Sequence, residues 1–309
     1  MRRRIKFGVT LPQFGASWSE VRAVAHRADE AGFDSVWLAD HFFGVGGEDP
    51  LEAWTEMSAV AAVTKRAELG FLVLCNNYRP PALLAKMATT LDEISDGRLI
   101  LGYGAGWFSL EYEAYGYDFP NIRTRLEQLE EGLEILKKMW TEDAATFHGF
   151  HYNIENARCL PKPRRQPHPP ILIGGGGEKV LLRLVARYAD IWNNMGIAHR
   201  DIGAKLAHLR AHCEGIGRDI AEIEISQQTV GAIALAKDEA RRSTEAVLGE
   251  VGFLTGAPEL CPTGTPDEII ARVKQSVALG ITTFIISFGR KSTEHAVELF
   301  GREIIPAFR

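Results

Sequence analysis

The chain has 309 residues, with 35 lysines and arginines against 40 aspartates and glutamates, and a formal net charge of -5. No long block of one charge sign occurs, so the sequence lacks the basic footprint of a nucleic-acid-binding protein. No apolar stretch reaches the roughly 20 residues that a membrane span needs. Arginines occupy positions 2–4, but Lys6 and Pro12 interrupt any apolar segment behind them, so we expect no signal peptide.

The cysteines also restrict the class of protein. Cys75, Cys159, Cys213 and Cys261 are far apart and form no CxxC pair. This spacing favours neither a disulfide framework nor a zinc motif. We therefore predict a cytoplasmic protein with reduced cysteines.

Short apolar runs alternate with helical patterns along the whole chain. Eight such runs occupy residues 5–11, 33–39, 69–74, 99–103, 171–173, 191–193, 223–234 and 281–287. Strands that alternate with helices indicate βαβ units and a parallel sheet. Eight of them predict a single (β/α)8 TIM barrel over residues 1–309, whose chemistry would lie at the C-terminal ends of the strands.

Helix boundaries and insertions follow from shorter signals. Ser17 with Glu20, and Thr265 with Glu268, are spaced as capping boxes at helix starts. Two segments interrupt the alternation, residues 104–120 after the fourth strand and residues 141–170 before the fifth. Connections of this length are usually lids or binding loops, although an insertion that only packs outside the barrel is the alternative.

The second predicted strand ends in Asp40 and His41, at the expected catalytic mouth. Histidine can hold or give a proton near neutral pH, and an adjacent carboxylate can tune it or bind a ligand donor. A histidine that merely caps the strand is the alternative. The third strand ends in Cys75 and Asn76, of which Asn76 could reach a ligand amide, whereas Cys75 is better interpreted as a small buried apolar residue.

A glycine pattern follows the fourth strand. Gly102, Gly104 and Gly106 are spaced GxGxG, but the next predicted helix starts only near Asn121, so this is no dinucleotide fingerprint. We interpret these glycines, with Ala105, as allowing a flat ligand to approach the backbone closely.

Four consecutive glycines follow the fifth strand. Gly174, Gly175, Gly176 and Gly177 lead through Glu178 towards a helix expected within a residue or two. Free N–H groups at such a turn bind phosphate, and a flexible turn is the alternative. The GxSxG, HExxH and GxxxxGK[ST] motifs are absent. The sequence therefore lacks the catalytic motifs of nucleophile-elbow hydrolases, zincins and P-loop enzymes, and we predict no metal ligands.

Several short motifs together resemble the luciferase-like monooxygenase superfamily, and in particular its oxidoreductases that use the deazaflavin coenzyme F420. The motifs lie at residues 7–13, 31–42, 95–99, 104–107, 173–178 and 188–193. The resemblance covers nearly the whole chain and implies a homodimer that acts on a small molecule.

The resemblance also implies roles for individual residues. Asp40 would contact the deazaflavin ring or ribityl chain, with His41 near the substrate and Glu111 at an acidic position common in the family. A non-proline cis peptide would join Leu74 and Cys75 behind the ring. The remaining predicted coenzyme contacts are Asn76, Gly104, Ala105, Gly106, Trp107, Gly174, Gly175, Gly176, Gly177 and Glu178.

One departure bears on the substrate. The family's sugar-phosphate dehydrogenases carry a catalytic glutamate directly after the GxGxG turn, where this chain has Trp107, followed by Phe108. We therefore expect an apolar or aromatic substrate instead of glucose 6-phosphate. The expected walls are Trp18, Phe42, Phe43, Trp107, Phe108 and Tyr112.

The predicted activity is F420-dependent hydride transfer. The alternatives are an FMN-dependent monooxygenase on the same fold, a cofactor-binding protein without turnover and, more remotely, a metal-dependent hydrolase. Arg164 and Arg165 could hold the acidic tail of F420, unless they are simply solvated.

Overall fold

A computed structural model describes residues 4–44, 48–290 and 293–309, so Arg4 is the only one of the three opening arginines within it. Its main sheet closes on itself into the predicted barrel, because β3 pairs with β4 as well as with β2. The barrel strands are β1 (Lys6–Thr10), β2 (Ser35–Leu38), β3 (Glu68–Phe71), β4 (Leu99–Gly104), β5 (Ile171–Gly174), β6 (Ile191–Met195), β7 (Glu224–Val230) and β8 (Thr283–Ser287). Every neighbouring pair is parallel, which confirms the fold class.

Helices surround the barrel and cover its outward-facing apolar residues. They are α1 (Trp18–Glu30), α2 (Ala53–Val63), α3 (Pro81–Ile94), α4 (Ser109–Ala114), α5 (Ile122–Thr141), α6 (Leu181–Tyr188), α7 (Ile202–Gly215), α8 (Lys237–Val251), α9 (Pro266–Ala278) and α10 (Thr293–Glu303). Capping boxes at Ser17 and Thr265 begin α1 and α9, as predicted. None of the described helices is long and apolar enough to cross a membrane.

The inside of the barrel is filled in layers. At the N-terminal end Lys6 Nζ donates to the Glu224 carboxylate at 2.8 Å. Above this pair the indole of Trp37 fills the centre, where a Cβ on Gly70 would lie 2.2 Å from the ring. The closed centre leaves the C-terminal mouth as the place for a ligand.

The close approach of Trp37 to Gly70 leads to a prediction about stability. We expect Gly70→Ala to lower the free energy of unfolding by roughly 1–3 kcal/mol, because the added methyl overpacks a closed interior. Gly203→Ala is the control, since a Cβ there meets nothing within 4 Å. Denaturant unfolding measures both variants, and equal stabilities would contradict the prediction.

Two predicted strands are divided in the structure. The run 69–74 separates into β3 and a two-residue strand at Leu74–Cys75, with a cis peptide bond between Leu72 and Val73. The run 223–234 separates into β7 and Ala232–Ile233, which pairs with Thr263–Gly264. Apolar periodicity does not show such breaks, because both pieces remain buried.

The second insertion packs mainly outside the barrel. Its strands Ala145–His148 and Asn153–Ala157 form an antiparallel hairpin, and Lys162 Nζ donates to the Met139 carbonyl at the end of α5. The outside-packing alternative therefore holds for most of residues 141–170. The exception is Tyr152, whose hydroxyl accepts from Asn76 Nδ2 at 3.1 Å.

Candidate active site

His41 and Glu111 meet above the end of β2, although they lie 70 residues apart. Glu111 belongs to α4, within the first insertion, and its side chain is fully buried. His41 Nδ1 lies 2.9 Å from the carboxylate, and Tyr78 donates its hydroxyl to the same carboxylate at 2.8 Å. The first insertion thus brings the carboxylate of Glu111 to the histidine.

The Glu111 carboxylate is held in its charged form. Burial raises the pKa of Glu111, but hydrogen bonds from His41, the Phe42 N–H and Tyr78 outweigh it and hold the pKa below its usual range. A carboxylate only accepts hydrogen bonds, so Nδ1 of His41 carries a proton, and Nε2 is the ring nitrogen left for proton exchange with a substrate. The side chain of His41 remains 21% exposed, whereas that of Glu111 is fully buried, so a substrate in the mouth could meet His41 but not Glu111.

Aromatic rings surround His41 at the mouth. Its ring centroid lies 5.8 Å from that of Trp107 and 6.0 Å from those of Phe108 and Phe14. Trp107 is 64% exposed at the rim. Phe42 instead stacks between Tyr78 and Tyr115, with centroids at 4.5 and 4.2 Å. Of the other predicted wall residues, Phe43 packs against Phe108, Tyr112 is fully buried and Trp18 packs against the main core.

Other residues of the protein donate hydrogen bonds to the carboxylate of Asp40. Arg79 donates to both of its oxygens, at 2.9 and 3.0 Å, and the Cys75 N–H donates to one of them at 2.8 Å. Arg79 also pairs with Glu52 at 2.6 Å, at the start of α2. The predicted contact of Asp40 with a coenzyme stays a prediction, and the arrangement assigns this buried carboxylate to fixing Arg79 and the Cys75 backbone.

Glu56, one turn after Glu52 on α2, is a buried carboxyl group without a hydrogen-bond partner among the described residues. Burial, with a smaller effect of the Glu52 charge, raises the pKa of Glu56 to about 7. The folded state therefore favours the neutral acid, and the stability present below the unfolded pKa is lost as the pH rises through the folded pKa.

Glu56→Gln should remove this loss. We expect the variant to gain on the order of 2 kcal/mol in free energy of unfolding over wild type at about pH 8, and little at about pH 4. Urea unfolding at the two pH values measures the difference. A gain that is the same at both would contradict the assigned titration.

The cis peptide bond is not where the resemblance placed it. It joins Leu72 to Val73, two residues before the predicted Leu74–Cys75 position, so that prediction was wrong. A Cβ on Gly104 would lie 2.6 Å from the Val73 side chain, and one on Gly174 3.1 Å from it. These two glycines leave room for the side chain of Val73, which is partly exposed and forms the wall of the mouth at this point.

The residues after Val73 are more buried than expected for ligand contacts. Leu74 is fully buried, and Asn76 is held between Tyr103 and Tyr152. Cys75 packs beside Tyr112, and burial raises the pKa of its thiol to about 11, in agreement with an inert apolar role. The backbone at residues 104–106 turns tightly here, where a Cβ on Gly106 would collide with the Tyr112 hydroxyl.

The glycine loop, residues 174–177, is held by its carbonyl groups. Trp192 Nε1 donates to the Gly175 carbonyl at 2.8 Å, and Lys205 Nζ donates to the Gly176 carbonyl at 2.8 Å. Gly175 has a φ of +120°, a conformation that favours glycine. Helix α6 begins only at Leu181, later than predicted, so the loop itself supplies the donors.

The donors of this loop fit a phosphate. Within the described residues, the N–H groups of Gly176 and Gly177 make no hydrogen bond. A Cβ on Gly176 would lie 3.0 Å from Lys205 Nζ, so the glycine keeps the space beside that cation open. Backbone donors next to an ammonium group are a favourable site for an anion. Lys205, which the sequence analysis missed, comes from α7 and carries no local motif.

Arg164 and Arg165 lie far from this loop. Arg164 pairs with Asp96 at 2.9 Å, after the end of α3, and Arg165 pairs with Glu68 at 2.8 Å, at the start of β3. Both arginines are therefore at the N-terminal end of the barrel, opposite the mouth. The hypothesis that they hold an acidic coenzyme tail was wrong, because the insertion returns along α3 to the other end.

A family model for the luciferase-like monooxygenases matches residues 5–283. The chain belongs to this family. It is an oxidoreductase, and its named relatives include F420-dependent and FMN-dependent enzymes. Among the described residues, no group of three or more histidine, cysteine, aspartate or glutamate side chains is placed to hold a metal ion.

Relatives of both cofactor classes match over most of their length. The F420-dependent glucose-6-phosphate dehydrogenase of Amycolatopsis mediterranei is 26% identical over 340 residues, covering 99% of this chain and 98% of that protein. The FMNH(2)-dependent dimethylsulfone monooxygenase of Pseudomonas putida is 27% identical over 320 residues, covering 93% and 87%. The structure of an F420-dependent secondary alcohol dehydrogenase with an F420-acetone adduct matches with a TM-score of 0.86 at 19% identity, covering 99% and 100%, and so supports the fold.

Proposed function

We propose that this protein is an F420-dependent oxidoreductase that transfers a hydride between the deazaflavin and a small organic substrate. The observation that carries the proposal is the His41–Glu111 pair, which faces an aromatic mouth and whose Nε2 has no hydrogen-bond partner among the described residues. The glycine loop with Lys205 supports it as the site for the coenzyme phosphate. The F420-dependent relative, aligned over 99% of this chain, supports deazaflavin as the coenzyme, and the FMN-dependent relative, aligned over 93%, supplies the alternative.

The coenzyme would supply or accept the hydride, and the protein would supply the proton and the orientation. When a carbonyl is reduced, the hydride goes to carbon and a proton must reach oxygen. We assign that proton to His41 Nε2, because the bond from Nδ1 to the buried Glu111 stabilises the imidazolium and fixes the ring. In the opposite direction Nε2 takes the hydroxyl proton.

The mouth favours an apolar or aromatic substrate. Trp107 and Phe108 stack on each other with ring centroids 5.1 Å apart, beside His41. Apolar walls exclude water and give little stabilisation to a phosphorylated sugar. We therefore do not extend the sugar-phosphate activity of the named relative to this chain.

A side-by-side titration of the purified apoprotein with F420 and FMN tests the proposal. We expect tighter binding of F420, and substrate turnover without oxygen consumption, because reduced FMN reacts with oxygen and reduced deazaflavin essentially does not. Preference for FMN with oxygen uptake would instead establish the monooxygenase alternative. Failure of both coenzymes to bind would overturn the enzymatic proposal.

A further inference from the structure

One face of α7 continues outward from the glycine loop and carries basic side chains. We propose that this α7 face, formed by Lys205, His208 and His212, binds the carboxylates of the F420 tail beyond the phosphate. The inference rests on the proposed function and deepens it, since it assigns the part of the site that would distinguish F420 from FMN.

The α7 face is continuous because its residues are three and four apart on one helix. Lys205 lies closest to the loop, with Nζ 2.8 Å from the Gly176 carbonyl oxygen. His212 Nε2 lies 2.8 Å from the Glu178 carbonyl oxygen. His208, between them in sequence, is 52% exposed. A chain of anionic groups leaving the loop would therefore meet these side chains next.

Glu178 shows that the α7 face accepts a carboxylate. Its carboxylate lies 3.4 Å from His208 Nε2 and 3.8 Å from Lys205 Nζ. The side chain is 45% exposed, so it can turn into solvent and give up this position. A tail carboxylate of F420 would replace it with the same charge and the same partners. FMN ends at its phosphate and has no group that reaches the α7 face.

Two charge changes on this surface have opposite expected effects. Glu178→Gln removes the competing carboxylate and should tighten the binding of F420 carrying several glutamates by about threefold. His208→Glu adds a negative charge and should weaken it by about fivefold. FMN should respond less than F420 in each variant, because only its phosphate meets the altered charge near Lys205, and the deazaflavin lacking both phosphate and tail should bind each variant as it binds wild type.

Matched controls carry the same charge changes on the opposite side of α7. Glu214→Gln is the control for Glu178→Gln. Arg210 is also exposed on that side, and Arg210→Glu changes the charge by at least as much as His208→Glu does, so it is the control for that variant. Isothermal titration of all five proteins with the three ligands measures the dissociation constants. The controls should leave them unchanged.

The outcomes separate the inference from the proposed function. F420 binding by wild type, with Glu178→Gln and His208→Glu indistinguishable from their controls, would overturn the α7 face alone. Equal losses of F420 and FMN in these variants would show a structural effect on the loop and would also overturn it. A wild-type protein that does not bind F420 would overturn both the proposed function and the inference about the α7 face.

Discussion

Replacing His41 by glutamine is expected to lower the turnover number by about 100-fold or more, while the coenzyme dissociation constant changes little. Glutamine keeps a polar side chain beside Glu111 but cannot exchange a proton near neutral pH. The glycine loop lies on the other side of the mouth, so coenzyme binding does not depend on the imidazole. Steady-state kinetics and a coenzyme titration of the same preparation measure the two effects separately.

His26→Gln is the matched control for this change. His26 lies on α1, is 59% exposed and takes no part in the site. Its replacement should leave turnover unchanged. A His41→Gln enzyme with wild-type turnover would remove His41 from the mechanism, whereas a parallel loss of coenzyme affinity would place it in binding instead.

Gly176→Asp is expected to lower the affinity for both F420 and FMN by about 100-fold or more. The new carboxylate would lie beside Lys205, where a Cβ is already 3.0 Å from Nζ, and would neutralise the cation that the phosphate needs. It would also repel the phosphate directly, because two anions cannot share one set of donors without a large cost.

Gly249→Asp adds the same charge on α8, where a Cβ meets nothing within 4 Å. Its coenzyme affinity should equal that of wild type. Thermal unfolding of both variants shows whether they are folded. A folded Gly176→Asp protein that binds either coenzyme normally would mean that the phosphate lies elsewhere.

Local signals were enough for the order of elements and for part of the site. The capping boxes at Ser17 and Thr265 depend on residues three positions apart, so they could be predicted without a fold. The same holds for the glycine loop and for the position of His41 at the end of a strand. In a parallel barrel every strand ends at the same face, so these motifs were bound to meet at one mouth.

Such local signals could not predict contacts between residues that are far apart in the chain. The family resemblance pointed to Glu111, but only closure of the barrel shows that α4 folds back over β2 and buries it against His41. Arg79 and Lys205 have no motif of their own, and their roles come from the carboxylate and the carbonyl that they face. The cis peptide was assigned two residues too late, because a short apolar run shows no register of its own.

The sequence by itself determined the alternation of strands and helices, a histidine at the end of the second strand and a glycine loop after the fifth, because each depends on neighbours within one turn or one strand. The tertiary structure decided which charges these groups meet. It placed Arg164 and Arg165 at the far end of the barrel and brought Lys205 to the loop. The reason is physical: charge acts through distance in space, and chain closure sets that distance independently of separation along the sequence.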